Sequence, residues 1–335
     1  MLASLKAVWG YTPCLLRTGK PSVGKRKKRI VVTGILLLAL LLVLVLLVVV
    51  FTGILCGPST RSPDIQVTPQ LERNLSAAVT YLKSHFNPKE GLLYESEDSG
   101  NRTIGGCDYR YDQIYWLYSD NLLASWALKP YDAELSSTIN QTIHSYTGEG
   151  SGFFEVLFGY PISQDMSEAS QLVVAQDKQR VVLAEFHNSS TPLDWRSYGD
   201  TLIYRSLNEY LKGNRTAANQ YFREAYMMFD GKGVYDLATQ TDGRYATYKL
   251  ALILYASKVL DYPVPYNVTK PNYNPIEDRL WSMQQENGGI TSLSDLDGKP
   301  VGSANTETTA ITLLPYNDEL IAKMHSLFGA YQPKK

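Results

Sequence analysis

The chain has 335 residues, with 33 acidic and 32 basic side chains, a formal net charge of −1 and four histidines. Every acidic residue lies after Cys56, so the rest of the chain is acidic, which argues against a nucleic-acid partner. The histidines are scattered, and no HExxH, CxxC, GxSxG, phosphate-loop or dinucleotide motif occurs. The sequence therefore predicts neither a metal site nor a cofactor.

The N-terminal region has the charge pattern of a membrane anchor. All charged side chains in residues 1–29 are basic. Residues 30–56 have no charged side chain and are mostly leucine and valine. At about 1.5 Å per residue, the second segment can cross a hydrocarbon core of about 30 Å. The basic excess predicts a cytoplasmic N-terminus and an extracellular C-terminal domain at the cell membrane, with the lipid bilayer as a partner. The alternatives are a cleaved signal peptide, for which the segment is too long, a lipoprotein signal, which Leu55 disfavours, and a buried helix.

Glycosylation sequons agree with this orientation. Six Asn-x-Ser/Thr sites, more than chance would give, all lie on the side predicted to be extracellular, and each indicates a surface position. They are Asn74, Asn101, Asn140, Asn188, Asn214 and Asn267. The three cysteines provide no disulfide framework, so the outer domain must depend on its hydrophobic core. Cys107 is expected to be a buried apolar residue rather than a free thiol.

The first predicted elements after the anchor are helical. Residues 57–67 predict a stalk, and residues 68–335 predict one extracellular helical domain. Thr68 and Pro69 fit the N-cap and N1 positions of a first helix. Tyr111–Leu128 predicts a second helix, apolar on more than one face and therefore packed on more than one side. A short connection to a third helix predicts an antiparallel hairpin.

The middle of the domain differs from its ends. Phe153–Phe158 and Val181–Phe186 predict two strands that can pair, with a polar helical stretch between them. Helices then resume at 193–212, 215–229, 244–260, 275–285, 306–314 and 317–327. The predicted fold class is therefore mainly α, with one N-terminal transmembrane helix and an ectodomain of α/α-hairpins, arranged as an incomplete toroid with a small β-hairpin insertion. An open stack of hairpins is the alternative.

Two stretches carry a family resemblance. Residues 280–314 read LWSMQQENGGITSLSDLDGKPVGSANTETTAITLL, an outer helix, a Gly-Gly loop and a helix opened by Asn and Thr. Residues 90–132 place the loop EGLLYESEDSG before the segment YRYDQIYWLYSDNLLASWALKPYD. This arrangement resembles α/α-toroid proteins, which include six-hairpin glycosidases, polysaccharide lyases and terpenoid-cyclase-like domains. The resemblance implies an architecture for the outer domain and no single activity, because such folds host several functions.

Carboxylates beside aromatic rings are the candidate chemistry, because glycoside hydrolysis uses two carboxyl groups across a sugar. Asp120 is the leading catalytic candidate, since it lies mid-helix among aromatic residues; a hydrogen-bonded structural carboxylate is the alternative. Asp112 and Glu307 lie where helices begin, where a carboxylate can equally serve as a cap or interact with the helix dipole. The candidate substrate-binding rings are those of Tyr115, Trp116 and Trp126. Asp295–Gly298 resembles a fragment of a calcium loop without its later ligands, so a turn is expected.

Two functions remain open from the sequence. The favoured one is a single-pass, membrane-anchored cell-surface glycoprotein with a helical ectodomain that binds a ligand or serves as an envelope scaffold. Its candidate partners are glycans or envelope proteins. The other is an extracellular carbohydrate-active enzyme, a glycoside hydrolase or polysaccharide lyase, using carboxylates in an aromatic cleft. The first is favoured because no complete catalytic motif is present.

Overall fold

The computed structural model describes residues 74–146, 150–162, 166–187, 191–263 and 274–331. The helices in these ranges are α1 Leu75–Ser84, α2 Leu123–Leu128, α3 Ala133–Tyr146, α4 Gly199–Leu211, α5 Arg215–Tyr226, α6 Leu237–Asp242, α7 Tyr248–Val259, α8 Pro275–Trp281, α9 Thr306–Leu313 and α10 Asp318–Ser326. The strands are β1 Phe86–Asn87, β2 Leu92–Leu93, β3 Asn101–Ile104, β4 Cys107–Arg110, β5 Ile114–Trp116, β6 Ser170–Gln176, β7 Val181–Phe186, β8 Arg244–Ala246, β9 Thr291–Asp295 and β10 Pro300–Ala304.

The strands form four small sheets in the described part of the chain. β1 pairs with β2, and β3 with β4, each in antiparallel fashion. β7 is the central strand of a three-stranded sheet, antiparallel to β6 and parallel to β5. β9 is the central strand of the other three-stranded sheet, antiparallel to both β8 and β10. Each sheet is too small to form a layer of its own, so the helices supply most of the core.

The predicted mainly α fold class is wrong. The described residues are 49% helix and 20% strand, so the fold mixes helices with four sheets rather than inserting one β-hairpin into an array of α/α-hairpins. None of the helices in the described ranges combines the length and apolar character needed to cross a bilayer, so the predicted transmembrane helix has no counterpart among them. The predicted tail 1–29, anchor 30–56 and stalk 57–67 lie outside the described residues.

The predicted continuous helix over Tyr111–Leu128 is interrupted. Its residues 114–116 form β5, which pairs with β7 and is buried along its whole length. The chain then makes a π-helical turn, Leu117–Leu122, before α2 begins. Branched and aromatic side chains such as those of Ile114 and Trp116 favour a buried strand once a partner is available. Helical periodicity predicted the wrong element because the partner strand lies far away in sequence.

Only one of the two strands predicted in the middle of the chain is confirmed. Val181–Phe186 is β7, whereas Phe154–Phe158 forms a 3₁₀ turn. The Glu155 carboxylate stabilises this turn by accepting hydrogen bonds from Ser151 Oγ at 2.8 Å and from the Gly152 amide at 3.1 Å. β7 pairs instead with β6, in the stretch that was predicted to be helical.

The segment between α8 and α9 is a β-hairpin rather than a loop. The Asp295 carboxylate accepts hydrogen bonds from the amides of Asp297 at 3.0 Å and Lys299 at 2.8 Å, which closes the connection between β9 and β10. The Leu296 carbonyl accepts a hydrogen bond from the Lys232 ammonium at 2.8 Å. The expectation of a turn at Asp295–Gly298 is confirmed.

Four of the six helix starts predicted in the second half of the domain are confirmed, at residues 215, 275, 306 and, within one residue, 317. The helix predicted from residue 193 begins only at Gly199. The first residues of the helix predicted from Arg244 form β8, so α7 begins at Tyr248.

Asn214 Oδ1 accepts a hydrogen bond from the Ala217 amide and caps α5, and Asn274 Oδ1 accepts one from the Ile276 amide and caps α8. These caps satisfy amides that a helix leaves without internal partners. α7 is buried around nearly its whole circumference, because α4, α5, α8 and α9 all pack against it. It forms the centre of the core.

Candidate ligand-binding groove

A groove of about 460 Å³ opens between two walls that come from distant parts of the chain. Its volume falls in the range of small-ligand sites. One wall is built by the segment from β2 to the start of β5, and the other by the sheet of β8, β9 and β10 with the cap of α9. The polar residues that line it are Glu95, Ser96, Asp98, Arg102, Tyr111, Arg244, Ser292, Ser303 and Asn305.

The first wall contains a charge pair held against an indole ring. Glu95 Oε2 accepts a hydrogen bond from Trp116 Nε1 at 2.8 Å and lies 3.8 Å from the Arg102 guanidinium. That guanidinium also lies 5.4 Å from the centroid of the Trp116 ring, within cation–π distance. Burial, with a smaller contribution from the nearby Glu95 carboxylate, raises the pKa of Tyr111. β5 thus fixes Glu95 and Arg102 of this wall through Trp116.

Two hydrogen bonds join the second wall to the first, beside the N-cap of α9. Ser303 Oγ donates to Asp98 Oδ2 at 2.9 Å across the groove. The Thr306 amide donates to the Glu95 carbonyl at 3.0 Å, and Asn305 Oδ1 accepts a hydrogen bond from the Thr308 amide at 2.9 Å. The groove therefore reaches the N-terminus of α9, where the helix dipole presents its positive end.

Arg244 is the remaining charged residue of the groove. It lies exposed in β8, directly opposite Asp295 in β9. The Asp295 carboxylate instead accepts the hydrogen bonds of the turn that follows β9. Among the residues that the structure describes, the Arg244 guanidinium forms no ion pair or hydrogen bond. Its donors are therefore available to a ligand.

A second group of ionisable residues is buried where α4, α7 and α9 begin, and we call it the buried cluster: Asp200, Tyr204, Asp236, Tyr248, Lys249 and Glu307. The Tyr248 hydroxyl donates to Asp200 Oδ2 at 2.5 Å. The Lys249 ammonium forms a buried ion pair with Asp236, whose carboxylate also accepts the Gly199 amide at 3.0 Å. Burial, and next the Asp200 carboxylate, raise the pKa values of Tyr204 and Tyr248 far above that of a free tyrosine.

Two of the three catalytic candidates lie in the interior. Asp120 is buried in the π-helical turn, a rare element that often marks functional sites. Glu307 is buried in the first turn of α9, which packs against the π-helical turn. Asp112 is half-buried and pairs with Arg110, whose Nε lies 2.9 Å from Asp112 Oδ1. None of the three lines the groove, and their catalytic roles stay predictions.

The three candidate substrate-binding rings also lie outside the groove lining. Trp116 contacts the groove residues Glu95, through its hydrogen bond, and Arg102, through its ring face. The Tyr115 hydroxyl accepts a hydrogen bond from Asn87 Nδ2 at 2.8 Å. Trp126 stacks on Phe158, with 4.9 Å between the ring centroids. Tyr111 is the aromatic residue that the groove does contain.

Surface positions agree in part with the sequence analysis. The sequon residues Asn74, Asn101 and Asn214 are exposed, and Asn140 is half-buried. Asn188 and Asn267 lie outside the described residues. Whether any of the six carries a glycan stays a prediction.

The expected burial of Cys107 is wrong, because this residue is an exposed free thiol. It lies in β4, and of that strand only Tyr109 is buried. β4 pairs with β3 alone, and its other side chains, including that of Cys107, are exposed to solvent.

Sequence reasoning missed the groove itself. Glu95 and Asp98 lie in the loop EGLLYESEDSG, and Ser303 and Asn305 lie in GKPVGSAN, both of which were interpreted only as connections. The dense acids of ESED, so close to Arg102, were the available signal. Within the described ranges no group of three or more His, Cys, Asp or Glu residues is arranged to hold a metal ion.

Neither protein-family models, nor curated protein sequences, nor solved structures contain a match to this chain. The resemblance to α/α-toroid proteins therefore stays a prediction from the sequence.

Proposed function

We propose that this protein is a cell-surface glycoprotein whose described domain binds a saccharide in the groove. One observation carries the proposal: a groove of about 460 Å³ lined by two carboxylates, two guanidinium groups, three serines, an asparagine and one tyrosine ring. Ligand sites for apolar molecules are lined mainly by hydrophobic side chains with few polar groups. The polar side chains of this lining outnumber its apolar residues Leu293, Val301 and Gly302, and its carboxylates and hydroxyls suit a ligand covered with hydroxyl groups.

The groove also has the rigidity that a saccharide site needs. Glu95 is held by Trp116 and Arg102, and Asp98 is held by Ser303. Each of these carboxylates has more lone pairs than hydrogen-bond donors around it, so each can still accept a hydrogen bond from a sugar hydroxyl. Because its side chains are already oriented, binding loses less conformational entropy there than on a mobile surface.

Charge distribution and sequons support the cell-surface part of the proposal. All 33 acidic residues lie beyond Cys56, and the N-terminal 29 residues are basic. Three sequon asparagines are exposed in the described domain. If they are used, treatment of the native protein with a suitable glycosidase will lower its apparent mass.

An enzymatic role is the second candidate. The observation that favours it is the burial of Asp120 and Glu307 on two elements that pack together, with Asp120 in a π-helical turn. Neither residue lines the groove, which is why binding is the function proposed first.

The test is saccharide binding by the full-length protein with the groove open or filled. A glycan array should detect binding by the wild type and lose it in Ser303→Trp, whose indole would fill the groove. Ser137→Trp, on the exposed face of α3, is the matched control and should bind normally. Absence of binding to every glycan, or equal binding by both variants, would reject the proposal. Product release in the same incubations, abolished by Asp120→Asn, would establish the enzymatic alternative instead.

A further inference from the structure

We propose that the saccharide bound in the groove is acidic, and that Arg244 binds its carboxylate. This inference rests on the proposed function and specifies the ligand class of that same groove. It follows from which charged groups of the groove already have partners within the protein and which do not.

Three of the four charged residues of the groove are engaged. Glu95 accepts from Trp116 and faces Arg102 at 3.8 Å. Asp98 accepts from Ser303 at 2.9 Å and from the Gly100 amide at 2.9 Å. Glu95 therefore balances the charge of Arg102, whereas Asp98 keeps its negative charge beside two neutral donors.

Arg244 is not engaged by any group in the described residues. Its neighbour across the sheet, Asp295, is the natural candidate for an ion pair. The Asp295 carboxylate instead accepts hydrogen bonds from the amides of Asp297 and Lys299. Both hydrogen bonds are accepted by Asp295 Oδ1, and they hold this carboxylate against the turn that follows β9. The guanidinium keeps its planar set of donors, which matches the two oxygens of a carboxylate.

The rest of the groove suits the neutral part of the same molecule. Asp98 and Glu95 can accept sugar hydroxyls, while Ser292 and Asn305 lie on the wall that contains Arg244. A molecule with hydroxyls at one side and a carboxylate at the other fits both walls, and uronic-acid oligosaccharides have this chemistry.

The experiment compares each acidic saccharide with its own neutral form. Oligomers of galacturonic, glucuronic and mannuronic acid, and their methyl esters, are titrated into the full-length protein by calorimetry. The wild type should bind one of the acids at least 10-fold more tightly than its ester, and added salt should reduce that preference because exposed charges are screened. Removing one charge-assisted contact should cost roughly 10- to 100-fold in affinity.

Two variants assign the preference to one residue. Arg244→Gln should lower affinity for the acid to about that of the ester, because the contact with the carboxylate is lost. Arg223→Gln removes an exposed arginine of α5 that does not line the groove, and it should keep the full preference. Equal thermal unfolding of both variants would show that the fold is intact.

The outcomes separate this inference from the proposed function. Binding of neutral glycans with no preference for acids leaves the saccharide site standing and overturns the role of Arg244. A preference for acids that persists in Arg244→Gln also overturns it. Failure of every glycan, acidic or neutral, to bind rejects the proposed function and this inference together.

Discussion

The groove and the buried cluster use the same residue types for different ends. In the groove, Glu95 and Arg102 lie 3.8 Å apart within reach of solvent, and Arg244 has no acidic partner in the described residues. In the buried cluster, Lys249 and Asp236 are in direct contact with almost no exposed surface, and the Tyr248 hydroxyl lies 2.5 Å from Asp200.

The difference lies in solvent access. A charge removed from water must find its partners inside the protein. The charges of the buried cluster therefore bind one another and hold their helices together. A charge in an open groove keeps its hydration until a ligand replaces it, so it remains available for recognition. Substitutions should therefore affect folding in the buried cluster and affinity in the groove.

The largest effect is expected for Lys249→Met. This change leaves the Asp236 carboxylate buried without its cation, and breaking a buried pair in this way costs about 3–5 kcal/mol of unfolding free energy. Urea unfolding measures the loss. The exposed pair of Lys129 and Glu319 provides the control, because Lys129→Met should change stability by less than about 1 kcal/mol. Equal effects of the two substitutions would remove the distinction between buried and exposed charges.

The next effect is a loss of stability in acid that depends on His187. Burial lowers the pKa of this histidine from 6.5 to about 4. Below pH 6.5 the unfolded chain takes up a proton that the folded state binds only near pH 4, so stability should fall by about 3 kcal/mol across that interval. Burial also lowers the pKa of His85, which acts in the same direction.

Urea unfolding at several pH values tests the contribution of His187. His187→Gln should flatten the dependence between pH 6.5 and 4, whereas His144→Gln, at an exposed position of α3, should leave it unchanged. A wild-type slope in His187→Gln would show that other groups cause the loss.

The smallest effect on stability is expected in the groove. Glu95→Gln keeps an acceptor for Trp116 and removes only a partly exposed charge pair, so the free energy of unfolding should change by less than about 1 kcal/mol. Affinity for the saccharide should nevertheless fall, because a hydroxyl group forms a stronger hydrogen bond with a carboxylate than with an amide oxygen. Destabilisation as large as that of Lys249→Met would mean that Glu95 is structural.

How far the sequence predicted the fold depended on the range of the interactions involved. The caps at Asn214 and Asn274 were predictable, because a cap involves residues within three positions of each other. β5 was not predictable, since its extended backbone depends on pairing with β7. The spacing of apolar side chains in the same residues predicted a helix. Cys107 was misjudged because its burial depends on what covers β4, which composition does not reveal.

The sequence by itself determined the capped starts of α5, α8 and α9, the turn at Asp295 and the segregation of charge along the chain. Only the tertiary structure decided that Asp98 meets Ser303 and that Asp295 leaves Arg244 without a partner among the described residues. Local elements follow from short-range hydrogen bonds and patterning. The groove instead requires two walls, far apart in sequence, that packing alone brings together.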